Sequence, residues 1–384
     1  MLASQRALFD LPDEICYLNA ASYGPLPLAT VQAAREAVTR KSRPWLIDAA
    51  FATGQYERAR KAAAALIHAD PDDVALTASV SYGVATAAKI RPIPRESRVI
   101  VLQDDHSSPV LEWLARASTE GFSVDKVATP GNHDWTRAVL ETIERPHAPP
   151  IAIASISSVQ WADGGVLDLD RIAPELRKHG AALLVDATHG AGVIEFDVRK
   201  LDPDFVIFPT YKWLLGPYGR AFLYVAKRHQ GAIPLEQTSA GRRSIDSEGD
   251  VYFKDIDYVG NARRFDMGER DHFISLEMAS LGIERMTAWG CKAISERLSM
   301  LTARLSDGLR SNRLDIPETK VRAPHIVSIG FRDGMPERMV ENLAAEQIYV
   351  APRLGRIRVS PHVYNDESDI DRFVGAFRRL MPGR

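Results

Sequence analysis

Cysteine is almost absent from this 384-residue chain, with Cys16 and Cys291 as its only two. That excludes a disulfide framework and a cysteine metal cluster. The ten histidines include no HExxH and no paired ligand spacing, so a metal site for zinc hydrolysis finds no support. No apolar run approaches the roughly 20 residues that span a bilayer. The opening MLASQRALFDLPDE turns acidic too early for a secretory signal. Neither sign of charge dominates: 48 Lys and Arg against 50 Asp and Glu leave −2, which carries no global nucleic-acid or membrane footprint. GxGxxG and GxxxxGK[ST] are both missing, against a dehydrogenase or nucleotide-binding protein on a Rossmann-like sheet. What remains is a soluble, cytoplasmic globular protein, large enough for one big domain and a smaller companion.

The middle of the chain alternates apolar strands (DVALTA, RVIVLQ, PIAIASI, AALLVDA, DFVIFP, RAFLYVA) with stretches of helical period such as WTRAVLETI and LDRIAPELRKHG. Such alternation predicts α/β architecture: a three-layer α/β/α domain around a mostly parallel sheet. RAFLYVA follows DFVIFP too closely for a crossover helix, so an antiparallel neighbour is expected there. After about Gly260 one long helical region, FISLEMASLGIERMTAWGCKAISERLSMLTARLSDGLR, leads to strand HIVSIGF, helix PERMVENLAAE, strand GRIRVSP and helix ESDIDRFVGAFRRLM. We therefore expect an N-terminal arm (1–15), a large domain (16–260) and a smaller α+β domain (261–384). The polar stretch from Thr238 to Arg264 reads as a loop near a site or interface.

In open α/β sheets ligands bind beyond the carboxyl ends of the strands. Ser79, Val80 and Ser81 follow the first strand and open a helix, which makes a phosphate seat; taken alone, a serine there is equally a cap. His106 follows the second strand and could stack on a ring. Ser157 and Ser158 end the third. Asp186 ends a wholly apolar strand and needs a partner, with His189 three residues on. Thr210, Tyr211 and Lys212 follow FVIFP, and Lys212 lies between apolar runs where an ammonium is costly unless paired or chemically used. Together these groups match pyridoxal phosphate, which needs a Schiff-base lysine, a carboxylate on its pyridine nitrogen, an anion cradle and a flat partner for its ring.

At this point the chain resembles the class V aminotransferase group of fold-type-I pyridoxal phosphate enzymes. That group includes cysteine desulfurases, selenocysteine lyases, kynureninases and isopenicillin N epimerase-like proteins. The resemblance runs from YLNAASYGPLP through LLVDATHGAG and PTYKWLLGPYG to RIRVSPHVYNDESDIDRF, and its most specific part is Asp186 followed 26 residues later by Lys212. It implies that Lys212 holds the cofactor and moves the Cα proton, that Asp186 pairs with the pyridinium, and that His106 stacks on the ring. Ser79, Val80, Ser81 and Thr210 would bind phosphate, with Ser158 and His189 near the ring hydroxyl. Arg358 would grip the substrate carboxylate, and Asn19 and Tyr23 would touch substrate. The segment RRFDMGERDHF resembles one that reaches a partner subunit's cofactor, although Gly268, Glu269 and Arg270 replace the usual Gly-Thr pair. A homodimer with its site at the subunit boundary follows. EQIYVAPRLGRIRV holds no cysteine where desulfurases carry a mobile one, which argues against a persulfide relay. Tyr211 in place of a histidine leans toward the kynureninase and epimerase side. The expected function is an enzyme working at Cα of a small amino acid, nominally a transaminase, with β-elimination or C–S lysis and epimerisation as alternatives.

Overall fold

The structure is a computed structural model that describes residues 2–243, 245 and 256–381. Residues 244 and 246–255 of the polar stretch from Thr238 to Arg264 lie outside the described residues. In chain order the elements are β1 (Cys16–Tyr17), α1 (Leu28–Lys41), α2 (Ala49–Leu66), β2 (Val74–Thr77), α3 (Val80–Ile90), β3 (Arg98–Leu102), α4 (Ser107–Glu120) and β4 (Ser123–Val127). Next come α5 (Trp135–Ile143), β5 (Ile151–Ser157), α6 (Leu169–Lys178), β6 (Ala182–Asp186), α7 (Val198–Leu201), β7 (Phe205–Pro209) and β8 (Ala221–Val225). The remainder is α8 (Phe273–Trp289), α9 (Cys291–Gly308), β9 (Leu314–Asp315), β10 (Val327–Phe331), α10 (Met339–Ala345), β11 (Ile348–Tyr349), β12 (Ala351–Arg353), β13 (Arg356–Val359) and α11 (Glu367–Leu380).

Seven strands form the central sheet in the order β2-β8-β7-β6-β5-β3-β4. β8 is antiparallel to both β7 and β2, and every other pairing is parallel. Consequently β2, β3, β5, β6 and β7 all end at one edge. Each is buried along its whole length, because helices cover both faces and an apolar run suits both at once. The pleat divides their side chains between two cores: Phe205 and Ile207 join Val84, Val99 and Trp113 on one face, while Val206 and Phe208 join Ile100, Val185 and Phe222 on the other. α3 and α4 cover the first face.

A four-stranded antiparallel sheet, β12-β13-β10-β9, forms beyond α9. The N-terminal segment reaches it: β1 pairs in parallel with β11, and Asn19 bridges to Ser360. One sequence expectation needs correction, and one strand was not foreseen. The long helical region is two helices, since Gly290 at φ +80° ends α8 and begins α9. The edge strand β4 has the sequence SVDKV and only one buried residue, so no apolar run announces it.

Candidate active site

The shared edge of β2, β3, β5, β6 and β7 opens into a cavity of about 220 Å³. Ser79, Val80 and Ser81 line it at the start of α3, His106 at the start of α4, and Asp186, His189 and Lys212 beyond β6 and β7. Lys212 is 7% exposed, and its Nζ lies 3.2 Å from His189 Nε2. Trp213 Nε1–H donates to His189 Nδ1 at 3.0 Å. An indole is only a donor, so the neutral imidazole carries its proton on Nε2. Nε2–H therefore donates to Nζ, and the lysine meets it as a free amine. Electrostatics agree: burial first, then the charge of Arg358, pushes the lysine down to about 7 against the pull of Asp186.

Asp186 Oδ1 accepts from both the backbone N–H and the hydroxyl of Thr188, while Oδ2 accepts no hydrogen bond among the described residues. Burial raises its pKa, and the Thr188 bonds oppose that. Asp105, unnoticed in the sequence, stands close by. Its Oδ2 accepts from Ser157 Oγ at 2.7 Å and its Oδ1 from His106 N at 2.8 Å. Desolvation, with the Asp186 charge adding to it, pushes Asp105 up to about 7. His106 packs edge-on to Trp161 at 5.8 Å, and burial followed by the Lys212 charge lowers its pKa.

At the start of α3, on the cavity wall, the N–H groups of Val80 and Ser81 have no helical acceptor. Ser79 Oγ caps Tyr82 N at 3.1 Å, and Ser81 Oγ donates to Ser108 Oγ at 3.0 Å. Arg220, also missed, joins them on the cavity wall. It is 1% exposed, its Nε and Nη2 donate to Ser275 Oγ at 3.3 and 3.0 Å, and no carboxylate lies within ion-pair distance among the described residues. Burial pushes it down to about 10. The signal was present in GRAFLYVA: an arginine at the head of an apolar strand is the same anomaly as Lys212.

Two of the expected cofactor residues stand elsewhere. Thr210 Oγ1 donates to the carbonyls of Pro217 at 2.7 Å and Arg220 at 3.2 Å, and Ser158 Oγ to the carbonyl of Asp186 at 3.4 Å. Neither lines the cavity, whereas Ser157 does. Arg358 is no surface arginine. At 1% exposure it donates from Nη1 to Trp161 O at 2.7 Å and from Nη2 to Ser22 Oγ at 2.9 Å. Asn19 Oδ1 accepts from that same Ser22 hydroxyl at 2.8 Å, so it orients Ser22. Tyr23 is 60% exposed and clusters with Tyr211 and Tyr218. Within the chain, Gly268 N donates to Glu236 at 2.6 Å and Arg270 pairs with Asp266 at 2.7 Å.

These residues fit pyridoxal phosphate. They supply a buried amine, a carboxylate oxygen unpaired among the described residues and, at the start of α3, free N–H groups beside a guanidinium with no carboxylate in ion-pair contact among those residues. Known proteins agree. The chain is 27% identical to the uncharacterized aminotransferase YcbU of Bacillus subtilis, covering 82% of this chain and 80% of the relative. It is 26% identical to isopenicillin N epimerase of Amycolatopsis lactamdurans over 98% of each. Among solved structures, the cysteine desulfurase of Thermococcus onnurineus NA1 superposes with a TM-score of 0.85 at 20% identity, covering 99% of both chains. The cystine C–S lyase C-DES, in complex with cysteine persulfide, gives 0.85 at 18% identity over 96% of this chain and 99% of its own. The fold is that of fold type I. With the aminotransferase class-V family model matching residues 17–373, the chain belongs to that family of pyridoxal phosphate-dependent enzymes.

Proposed function

We propose that the enzyme acts at the Cα–H bond of a small amino acid, nominally as a transaminase. The observation that carries this is Lys212: a buried amine with its pKa pushed down to about 7, held at 3.2 Å by a histidine whose tautomer is set from behind. When bound, pyridoxal phosphate supplies an electron sink that acidifies Cα–H. Lys212 Nζ would hold it covalently as a Schiff base and, once released, take the Cα proton as a general base of suitable strength. Asp186 Oδ2 would keep the pyridine nitrogen protonated, His106 would cover the ring, and His189 Nε2–H would serve the ring-hydroxyl side. Val80 and Ser81 N–H, the Ser79 hydroxyl and Arg220 would hold the phosphate. Arg358 would hold the substrate carboxylate.

A persulfide relay is disfavoured by the thiols present. Cys16 is fully buried, donates to Asp369 O at 3.3 Å and has its pKa raised by burial, and neither it nor Cys291 lines the cavity. Epimerisation is the second reading, favoured by the end-to-end similarity to isopenicillin N epimerase and by Tyr211 and Tyr218, two further proton-bearing residues on the cavity wall. β-Elimination with C–S cleavage needs the same first proton transfer. Incubation with several amino acids, following keto acid, ammonia, sulfide and loss of optical activity in parallel, separates the three. Lys212→Ala should abolish all products and the visible absorbance of the bound cofactor; an unchanged spectrum sinks the assignment.

Leu28, Val38, Trp45 and Leu46 leave apolar surface exposed along α1 and the turn after it. We read that face as part of a homodimer contact. Light scattering reporting an active monomer would refute it.

A further inference from the structure

Two arginines, where one would suffice for an α-carboxylate, converge beside the cavity. Ser22 Oγ accepts from Arg358 Nη2 and from Arg353 Nη2, each at 2.9 Å, while giving its own proton to Asn19 Oδ1 at 2.8 Å. One hydroxyl, with both its acceptor positions used, thus holds two guanidiniums together. Trp161 completes the cluster: its carbonyl accepts from Arg358 at 2.7 Å, its ring lies 5.7 Å from the Arg353 guanidinium, and it lines the cavity 5.8 Å from the His106 ring. Among the described residues neither arginine has a carboxylate within ion-pair distance, and no carboxylate is among the groups that shift either one's pKa.

Like charges gathered in a partly desolvated place, without a counter-ion, form an anion site whose anion arrives with the ligand. The donor inventory shows how many anions. Arg358 has spent one N–H on Trp161 and one on Ser22, and its buried Nε–H has no acceptor. Nε–H with the second Nη2–H makes one bidentate edge, which a single carboxylate saturates. Arg353 has spent Nη1 on Pro352 O at 2.7 Å and Nη2 on Ser22, so its charge stays uncompensated once that carboxylate is seated.

We infer that the substrate carries a second anionic group on its side chain, with Arg358 taking the α-carboxylate and Arg353 the side-chain acid. The substrate class is therefore acidic amino acids, of which L-aspartate and L-glutamate are the simplest. This rests on the proposed role of Arg358 and on a cofactor bound at Lys212. Ser22 and Asn19 act as positioning residues for the pair.

The test is a spectral titration of the cofactor-loaded protein, following the visible band as amino acid is added. L-Aspartate and L-glutamate are compared with L-asparagine and L-glutamine, which match them in shape but lack the charge. At least one acid should bind tenfold or more tighter than its amide. Arg353→Gln should reduce that ratio to within about threefold by weakening the acid alone, while Arg358→Gln should weaken acid and amide alike. Equal affinity for acids and amides in the unaltered protein overturns the inference and leaves the cofactor assignment standing. So does an Arg353→Gln protein that loses acid and amide equally. A protein with no visible band, or a band that no amino acid moves, removes the cofactor reading and this inference with it.

Discussion

Arg220 offers the sharpest quantitative test, because its predicted effects on stability and on binding have opposite signs. Burial holds its guanidinium near 10 in the folded chain, well below the ordinary arginine range and against the pull of Asp266 and Asp271. A basic group with a depressed pKa costs stability wherever it is charged in both states, which here means below about 10; the cost fades as pH rises above that. At neutral pH the depression corresponds to ~3 kcal/mol against the unfolded chain. The hydrogen bonds to Ser275 return ~1 kcal/mol each. Arg220→Met, which keeps much of the apolar stem, should therefore leave the cofactor-free protein slightly more stable, by ~1 kcal/mol, read as a higher urea midpoint. Binding runs the other way. One charge-assisted contact to a phosphate is worth ~2 kcal/mol, or ~30-fold in affinity. The control is pyridoxal, which has the same ring and aldehyde but no phosphate. Fluorescence titration should show the variant binding pyridoxal phosphate ~30-fold more weakly, with pyridoxal affinity moved less than twofold. Equal losses for both ligands would refute the placement of Arg220 at the phosphate, and a destabilised cofactor-free variant would refute the account of a charge whose burial outweighs the pull of Asp266 and Asp271.

The Lys212 amine should lose its proton near 7, so the rate at which cofactor-free protein takes up pyridoxal phosphate should climb through neutrality and level off above about pH 8. Arg358→Met should move that midpoint upward, because Arg358 is the largest cause of the depression after burial; a profile still rising at pH 10 contradicts the assignment. Gly24→Ala should destabilise the protein by ~2 kcal/mol or more and weaken cofactor uptake, since the added methyl would sit 2.1 Å from Lys212 O while Gly24 N holds Tyr211 O at 3.0 Å. An unchanged thermal midpoint with normal uptake would show that the lysine loop yields freely.

The central sheet was legible because strands covered on both faces must be apolar throughout, and runs such as AALLVD stand out against helical periodicity. β4, with one neighbour and a mostly solvated surface, is under no such demand. The two-residue strands β1 and β11 owe their existence to each other across the length of the chain, and β9 and β12 are likewise too short to carry a local pattern. The same split governs the site. Lys212 and Asp186 betrayed themselves as charges set in apolar surroundings. Ser157 against Ser158 was a choice between adjacent residues that the pleat sends to opposite sides, which a short motif does not resolve. Asp105, Arg353 and Ser22 acquire meaning only from contacts to 157, 22 and 358, separations over which a single sequence gives no signal.

The charges around the cavity, taken together, describe the ligand pair better than any one residue does. Arg220 and Asp186 line the cavity, Asp186 with one oxygen unpartnered among the described residues, and Arg353 and Arg358 cluster on Ser22 beside the lining residue Trp161. Burial first, then the charge of Arg353, lowers the pKa of Arg358, and the fold sustains that repulsion with neutral acceptors alone among the described residues. Asp105 and Asp186 are likewise both raised, each chiefly by burial, with the Asp186 charge adding to the rise of Asp105. Every one of these strains is relieved by the same complement: an anion at Arg220, a cation at Asp186 and anions at the arginine pair. A phosphorylated pyridinium with an acidic amino acid beside it carries that set of charges, whereas a neutral amino acid leaves Arg353 uncompensated. Ligand recognition here is the deferred half of the protein's own electrostatics, and for that reason the uncompensated arginines, more than the shape of the cavity, identify what it accepts.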